Sequence, residues 1–201
     1  YDIGIDALAH ALSTRFNAPL IVANYSRLVI DCNRHPGAAG SIPSVSDNTV
    51  VPGNKNLSDN ATASRKNEIF DTYHSSIGRQ ISVMRSENKT PILISLHSFT
   101  PVISGQFRPW EIGILWKDDR RLSTPLIKKL REQKELNIGD NKPYSGSEPA
   151  GYTVDYHVEP LSLPSVAVEF RQDLIEFETG AVRWANIFGD ALDHVLTAKI
   201  S

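Results

Sequence analysis

The segment Pro91-Ile92-Leu93-Ile94-Ser95-Leu96-His97-Ser98-Phe99-Thr100-Pro101 decides the expected fold. Its apolar run, Ile92 to Leu96, is bounded by prolines and is typical of a strand buried on both faces of an α/β sheet. His97 lies at the carboxyl end of that run, where open α/β sheets place their ligand crevices. Taken alone, the segment favours a partly buried histidine held by neighbouring backbone, and the rest of the chain reverses that preference.

The composition is that of an ordinary globular protein. The chain has 201 residues, of which 40% are hydrophobic and 22% charged. A net charge of -2 gives no electrostatic reason to expect nucleic acid or an anionic membrane as a partner. No apolar run approaches the length of a transmembrane helix, and no secretory signal is visible. The single cysteine, Cys32, excludes an internal disulfide and a cysteine-rich zinc site, and it suits a reducing, cytoplasmic compartment.

The chain begins at Tyr1, inside an amphipathic helical pattern, and its single methionine is Met84. We therefore expect a segment upstream of Tyr1 to be missing. The length otherwise suits a single domain over residues 1–201.

Alternating strand and helix patterns predict a three-layer α/β fold. Apolar residues at helical spacing predict helices over 1–16, 65–87 and 123–136 and from 179 or 180 onward, with His74 packed in the core. Short apolar runs predict strands over 19–23, 27–32, 92–96, 111–116 and 165–170. Residues 36–64 are rich in Gly, Pro, Ser and Asn and read as a long structureless loop, either an active-site lid or a surface insert.

Four of the predicted strand ends carry polar side chains that burial does not explain. They are Asn33-Arg34, His97-Ser98, Tyr144, and Glu169-Phe170-Arg171. Each has a simpler explanation: Glu169 could face solvent on an edge strand, Arg34 could be a surface cation, and Arg171 could pair with Glu169 or Asp173. Their shared placement at strand ends nevertheless favours a site.

These side chains have the chemistry of a metal-dependent hydrolase. A histidine can bind zinc through one ring nitrogen, and a nearby glutamate can remove a proton from the metal-bound water. An arginine can grip a carboxylate through two parallel hydrogen bonds. The pattern therefore predicts hydrolysis of an amide that has a carboxylate nearby.

Five segments also carry a family resemblance: Tyr25-Ser26-Arg27-Leu28-Val29-Ile30-Asp31-Cys32-Asn33-Arg34, Leu96-His97-Ser98-Phe99, Arg108-Pro109-Trp110, Asn141-Lys142-Pro143-Tyr144 and Val168-Glu169-Phe170-Arg171-Gln172-Asp173-Leu174. In order and spacing they resemble the N-formylglutamate amidohydrolase family, over nearly the whole chain. That family is similar to zinc carboxypeptidases, which implies a zinc-exopeptidase-like αβα fold around a central mixed, mostly parallel sheet.

The resemblance implies a role for each matching residue. His97 would be a zinc ligand, Glu169 the general acid/base, and Asn33 and Arg34 the carboxylate binders. His157, in a further similar segment, would have a polar role near the substrate, and Tyr144 and Arg171 complete the substrate-binding set.

The resemblance leaves the zinc site incomplete. Family members have a His-Ala-Ser/Gly segment upstream of the first helix that looks like a source of zinc ligands. The single zinc ion would therefore be completed by a segment upstream of Tyr1. Asp2 or Asp6 could add a carboxylate, although acidic residues at a helix N-terminus are common without a ligand.

The expected function is a zinc-dependent amidohydrolase of amino-acid metabolism that acts on N-formylglutamate or a similar N-acyl amino acid. A deacylase or carboxypeptidase acting on another carboxylate-bearing amide stays open. So does a non-catalytic carboxylate-binding protein that lacks metal. The expected partner is the small-molecule substrate, without nucleic acid or membrane, and the oligomeric state is left open.

Overall fold

The computed structural model describes residues 1–147 and 151–198 of the chain. Two compact units follow from the internal contacts, and each is described by itself. The first unit contains Tyr1, residues 21–91 and the described part of 150–162. The second contains residues 2–20 and the described parts of 92–149 and 163–201.

The second unit is built on a four-stranded sheet. In their order across the sheet, the strands are β3 (Leu93–Phe99), β8 (Ser165–Arg171), β6 (Ile112–Leu115) and β7 (Ile138–Asp140). Strand β3 runs parallel to β8 and β6 parallel to β7, while β6 and β8 are antiparallel. The α/β class and the central mixed, mostly parallel sheet are therefore confirmed. A hairpin follows β3, formed by β4 (Val102–Ile103) and β5 (Gln106–Phe107).

Three helices of the second unit bury apolar stripes in the core with this sheet. They are α1 (Ile5–Phe16), α4 (Ser123–Leu130) and α6 (Glu178–Thr197). Each has buried residues at helical spacing, as in Leu126, Ile127 and Leu130 of α4, and these join the buried strand residues in one cluster. Each such side chain contributes about 1.5–3 kcal/mol when fully buried. The predicted helices over 1–16, 123–136 and from 179 or 180 are confirmed in place, although α4 ends earlier than predicted, at Leu130.

Gly4 sets the path of the chain before α1. Its φ is 75°, a conformation that favours glycine, and a Cβ there would lie 1.9 Å from the carbonyl oxygen of Ile175. Helix α1 begins only at Ile5, so Asp2 lies outside the helix. Asp2 was expected at the N-terminus of the helix, but it belongs to the turn that precedes the helix.

The first unit contains α2 (Asp59–Arg65), α3 (Asp71–Ser86) and α5 (Tyr152–His157), with a π-helical turn, Lys66–Phe70, joining α2 to α3. It also contains a hairpin of β1 (Val45–Ser46) and β2 (Thr49–Val50). The segment 36–64 is thus more ordered than predicted. Asn54 organises it, because its amide nitrogen donates to the Leu28 and Pro43 carbonyls and its oxygen accepts from Arg65.

Two strand predictions were wrong. Among the described residues, neither 19–23 nor 27–32 forms a strand. Asp31 explains the second error, since its carboxylate binds Arg27 and accepts from the Asn33 backbone N–H, which holds a turn. Asn33 and Arg34 therefore belong to a turn, which the Arg34 backbone N–H closes by donating to the Asp31 carbonyl. None of the described helices is both long and apolar enough to cross a membrane.

Candidate functional site

One row of residues crosses the four-stranded sheet and contains the predicted zinc ligand, His97, and the predicted general acid/base, Glu169. His97 of β3 is the register partner of Glu169 of β8, and Glu169 is opposite Gly113 of β6. Gly113 is in turn the partner of Gly139 of β7. Register partners present their side chains on the same face of a sheet, so His97 and Glu169 lie side by side. Beyond Glu169 the row has no side chains.

The two glycines leave room for a backbone turn beside Glu169. A Cβ at Gly113 would lie 2.0 Å from the Lys142 carbonyl oxygen, and one at Gly139 would lie 2.5 Å from it. Asn141 holds this turn, since its side-chain oxygen accepts from the Trp116 and Gly146 backbone N–H groups. The turn therefore packs on the same face as the His97–Glu169 pair.

His97 has a polar partner at each ring nitrogen. Its Nδ1 is 3.1 Å from Asp2 Oδ2, and its Nε2 is 3.0 Å from the Ser95 hydroxyl. Asp2 also accepts from the backbone N–H of Ser98. The side chains of His97 and Asp2 are 24% and 28% exposed. The imidazole is thus held in one orientation while solvent still reaches it.

Glu169 is a carboxyl group set into the buried core strand. The residue is 7% exposed, whereas Val168 and Phe170 on either side are fully buried. An ionisable group in such a place is uncommon unless it has a polar function. The possibility that Glu169 faces solvent from an edge strand is therefore wrong.

Arg108 is a buried cation that positions Tyr144. Its guanidinium donates to the Thr100 carbonyl and hydroxyl and to the Tyr144 hydroxyl, the last at 2.8 Å, and it packs over the Phe99 ring. Because an arginine can only donate, the Tyr144 oxygen accepts this bond and its own O–H hydrogen can be offered elsewhere. Tyr144 is 40% exposed, so that hydrogen can reach a ligand.

Arg171 makes the alternative contact that the sequence left open. Its guanidinium donates to both carboxylate oxygens of Asp173, at 2.8 and 3.2 Å, and to the Pro109 carbonyl. This is a two-pronged ion pair within the second unit.

Asn33, Arg34 and His157 belong to the first unit. The Asn33 side-chain oxygen accepts from the Thr153 backbone N–H in the first turn of α5, and a Cβ at Gly151 would lie 2.9 Å from that oxygen. The half-buried Arg34 donates to the Asn33 backbone carbonyl. Asn33 is thus tied into the fold through the start of α5.

His157 is buried against a second histidine, His74. The two rings stack at an interplanar angle of 22°, with His74 Nδ1 3.0 Å from His157 Nε2. Burial lowers the pKa of His157 to about 4, with His74 as the second cause, and burial also lowers the pKa of His74. His74 is a packed core histidine, as expected.

Sequence reasoning missed several residues of this arrangement, namely Ser95, Arg108, Gly113, Gly139 and the role of Asp2. A glycine two residues after Asp2 was the available signal that the helix begins later. Within residues 1–147 and 151–198, no group of three or more His, Cys, Asp or Glu side chains is arranged to hold a metal ion.

Comparisons with known proteins identify the family and the fold of the chain. The family model described as N-formylglutamate amidohydrolase matches residues 1–176. A gene product of Agrobacterium tumefaciens of known crystal structure is 31% identical, with a TM-score of 0.94 over 98% of this chain and 78% of that one. An N-formylglutamate amidohydrolase from Ralstonia eutropha is 19% identical, with a TM-score of 0.74 over 96% of this chain and 81% of that one, a likeness of fold. No curated protein matches the chain.

Proposed function

The chain belongs to the N-formylglutamate amidohydrolase family, and from this premise we propose that it cleaves the amide of an N-formyl or N-acyl amino acid. N-formyl-L-glutamate is the first substrate to test, and the products would be the free amino acid and formate or another small acid. The observation that carries the proposal is the register of His97 with the buried Glu169 on one face of the sheet.

Glu169 is the proposed general acid/base. It would remove a proton from the attacking water while the water oxygen bonds to the acyl carbon. The same proton would then pass to the amide nitrogen as the C–N bond breaks, releasing the amine. A positioned group of this kind contributes about 10²–10⁴-fold to the rate.

His97 is the proposed neighbour of the reacting carbonyl, and Asp2 and Ser95 would hold its ring in place. The Asp2 carboxylate, 3.1 Å from Nδ1, would accept the proton that this nitrogen carries. Asp2 would thus fix the orientation of the ring and which of its nitrogens carries the proton.

The zinc ion expected at His97 stays a proposal. His97 and Asp2 offer two candidate ligands, whereas protein zinc sites use three or four. The described ranges 1–147 and 151–198 contain no group of three such side chains suited to a metal, so no reaction step is assigned to zinc.

The substrate carboxylate is proposed to bind Asn33 and Arg34, on the strength of the family motif. Tyr144 would donate its O–H hydrogen to the substrate, because Arg108 occupies only the acceptor side of the hydroxyl. Arg171 could join the substrate-binding set only by exchanging its partner Asp173.

The test is formate release from N-formyl-L-glutamate by the wild type and by Glu169→Gln. The substitution keeps the shape of the side chain and removes its basicity, so kcat should fall about 10²–10⁴-fold. Glu135→Gln, an exposed position outside the sheet, is the matched control and should keep full activity.

Unchanged activity in Glu169→Gln would refute the assigned role. If the wild type releases no formate but cleaves another N-acyl amino acid, it is a deacylase. If it binds N-formyl-L-glutamate and cleaves none of these amides, it is a carboxylate-binding protein.

A further inference from the structure

The stacked histidines of the first unit have a defined arrangement of protons. His74 Nε2 lies 2.8 Å from the Cys32 carbonyl oxygen, which can only accept, so this nitrogen carries a proton. In a neutral ring, His74 Nδ1 must then be an acceptor. It lies 3.0 Å from His157 Nε2, so His157 donates there and holds its own lone pair on Nδ1.

Both rings are neutral at neutral pH. His74 and His157 are 5% and 6% exposed, and burial lowers the pKa of each, that of His157 to about 4. A neutral His157 cannot bind a carboxylate through charge. Its remaining function is that of a hydrogen-bond acceptor.

The acceptor edge of His157 faces a gap on helix α3. A Cβ at Gly78 would lie 3.8 Å from His157 Cε1 and 4.0 Å from Nδ1, so the glycine keeps a side chain of its own away from this edge. A half-open pocket of about 290 Å³ lies here, just below the range of about 300–1,000 Å³ that is usual for small-ligand sites. Its lining includes Gly78, Ile81 and Arg85 of α3 and Tyr156, His157 and Leu161.

We propose that this pocket is a second site, whose lining does not include Asn33 or Arg34, and that it binds a small ligand that donates an N–H to His157 Nδ1 and places a carboxylate at Arg85. An amino acid or N-acyl amino acid has both groups, and this choice of ligand class rests on the proposed function. His157 thus recognises the nitrogen of the ligand rather than its carboxylate. His74 is a positioning residue, because its Nδ1 fixes which nitrogen of His157 accepts.

The first experiment is ¹⁵N NMR of the histidine rings in the whole protein at pH 7. Both His74 and His157 should show a proton on Nε2 and a lone pair on Nδ1. L-glutamate should shift the His157 Nδ1 resonance saturably and leave that of the exposed His10 in place. Succinate, which has carboxylates without an N–H group, should not produce this shift.

Two arginine variants test the carboxylate contact. Arg85→Ala should weaken L-glutamate binding by about tenfold or more, since a hydrogen bond to a charged group is lost. Arg79→Ala removes an exposed arginine from the same helix outside the pocket and should change the Kd less than twofold.

Two variants at His74 test positioning. In His74→Leu the acceptor for His157 is gone, so the proton should distribute over both nitrogens of His157 and L-glutamate should bind about three- to tenfold more weakly. His74→Gln can donate to Cys32 and accept from His157, so it should restore the proton to Nε2. A thermal unfolding curve for each variant confirms that the spectra come from folded protein.

A proton on Nδ1 of His157 in the wild type, or no shift with L-glutamate, would overturn the proposal. An equal shift with succinate would overturn recognition of the N–H group. Hydrolysis of N-formyl-L-glutamate is measured on the same samples: activity without a His157 shift rejects the pocket alone. A shift without hydrolysis of N-formyl-L-glutamate or of any other N-acyl amino acid tested rejects the hydrolase and supports the pocket.

Discussion

Replacing Gly113 with alanine tests whether the turn at Lys142, beside Glu169, requires the glycines of the sheet, Gly113 and Gly139. The new Cβ would lie 2.0 Å from the Lys142 carbonyl oxygen and 3.3 Å from Pro143 Cδ. Real contacts of a Cβ begin at about 3.0–3.4 Å, so the carbonyl must move by about 1 Å or more. The position of an alanine Cβ is fixed by its own backbone, and the atom that it meets is a backbone carbonyl oxygen. No side-chain rotation can therefore relieve the clash.

Overpacking of this kind costs about 1–3 kcal/mol of the free energy of unfolding. For a chain of this size each kcal/mol lowers Tm by about 2–4 °C. The displaced turn also includes Tyr144 and lies beside Glu169. Misplacement by about 1 Å can reduce a rate about 10²-fold, so kcat/KM on N-formyl-L-glutamate should fall by about 10–100-fold at a temperature where the variant is folded.

The measurements are thermal unfolding followed by circular dichroism, and formate release. Gly53→Ala is the matched control, since a Cβ there meets nothing within 4 Å and its φ is ordinary. Gly139→Ala, whose Cβ would lie 2.5 Å from the same carbonyl, should resemble Gly113→Ala with a smaller effect. A Gly113→Ala protein with the stability and activity of Gly53→Ala would refute the reasoning.

Three further predictions concern the ionisable groups. Asp2→Asn removes the charge facing His97 Nδ1, so kcat/KM should fall by about 10–100-fold, from the usual 1.5–3 kcal/mol of a charge-assisted hydrogen bond, and unchanged kinetics would contradict the Asp2–His97 pair. Elemental analysis of the zinc-supplied protein tests the zinc proposal: about one zinc per chain, lost in His97→Ala, would support it, whereas metal-free, folded wild type would reject it. The third prediction concerns acid stability. Unfolded His157 titrates near pH 6.5 and the folded residue near 4, so the unfolded chain binds a proton first as pH falls. The free energy of unfolding should therefore drop by about 2–3 kcal/mol between pH 7 and about 4.5, measured by urea denaturation, and His157→Gln should reduce that drop.

The strands with continuous apolar runs could be predicted from sequence. The site residues on those strands, His97 and Glu169, could be predicted along with them. Strands β6 and β8 bury most of their residues, so their hydrophobic pattern dominates locally. Strand β3 is the first strand of the described sheet, and its run Leu93 to Leu96 is half-buried rather than buried on both faces as expected, although its apolar pattern still marks the strand. Strand β7 was missed because Ile138-Gly139-Asp140 is too short to show a period. Residues 27–32 were predicted as a strand but form none. Their run is apolar, but the hydrogen bonds of the Asp31 carboxylate hold a turn there instead.

The neighbours of the catalytic residues could not be predicted in the same way. Asp2 meets His97 across 95 positions of sequence, through a turn at Gly4 that no local pattern describes. The alignment of Gly113 and Gly139 with Glu169 depends on the register between strands that are far apart in the chain. Register is set by packing of the whole sheet, so Gly113 and Gly139 had no visible connection with Glu169.

The pairing of His97 with Glu169 also makes activity a measure of correct folding. Side chains alternate along a strand, so a slip of β8 by one residue would present Val168 or Phe170 beside His97. Such a chain could keep its helices and much of its compactness and still lack the carboxylate. The specific activity of a refolded preparation would therefore count the molecules in which two strands, separated by more than sixty residues of sequence, have paired in the native alignment.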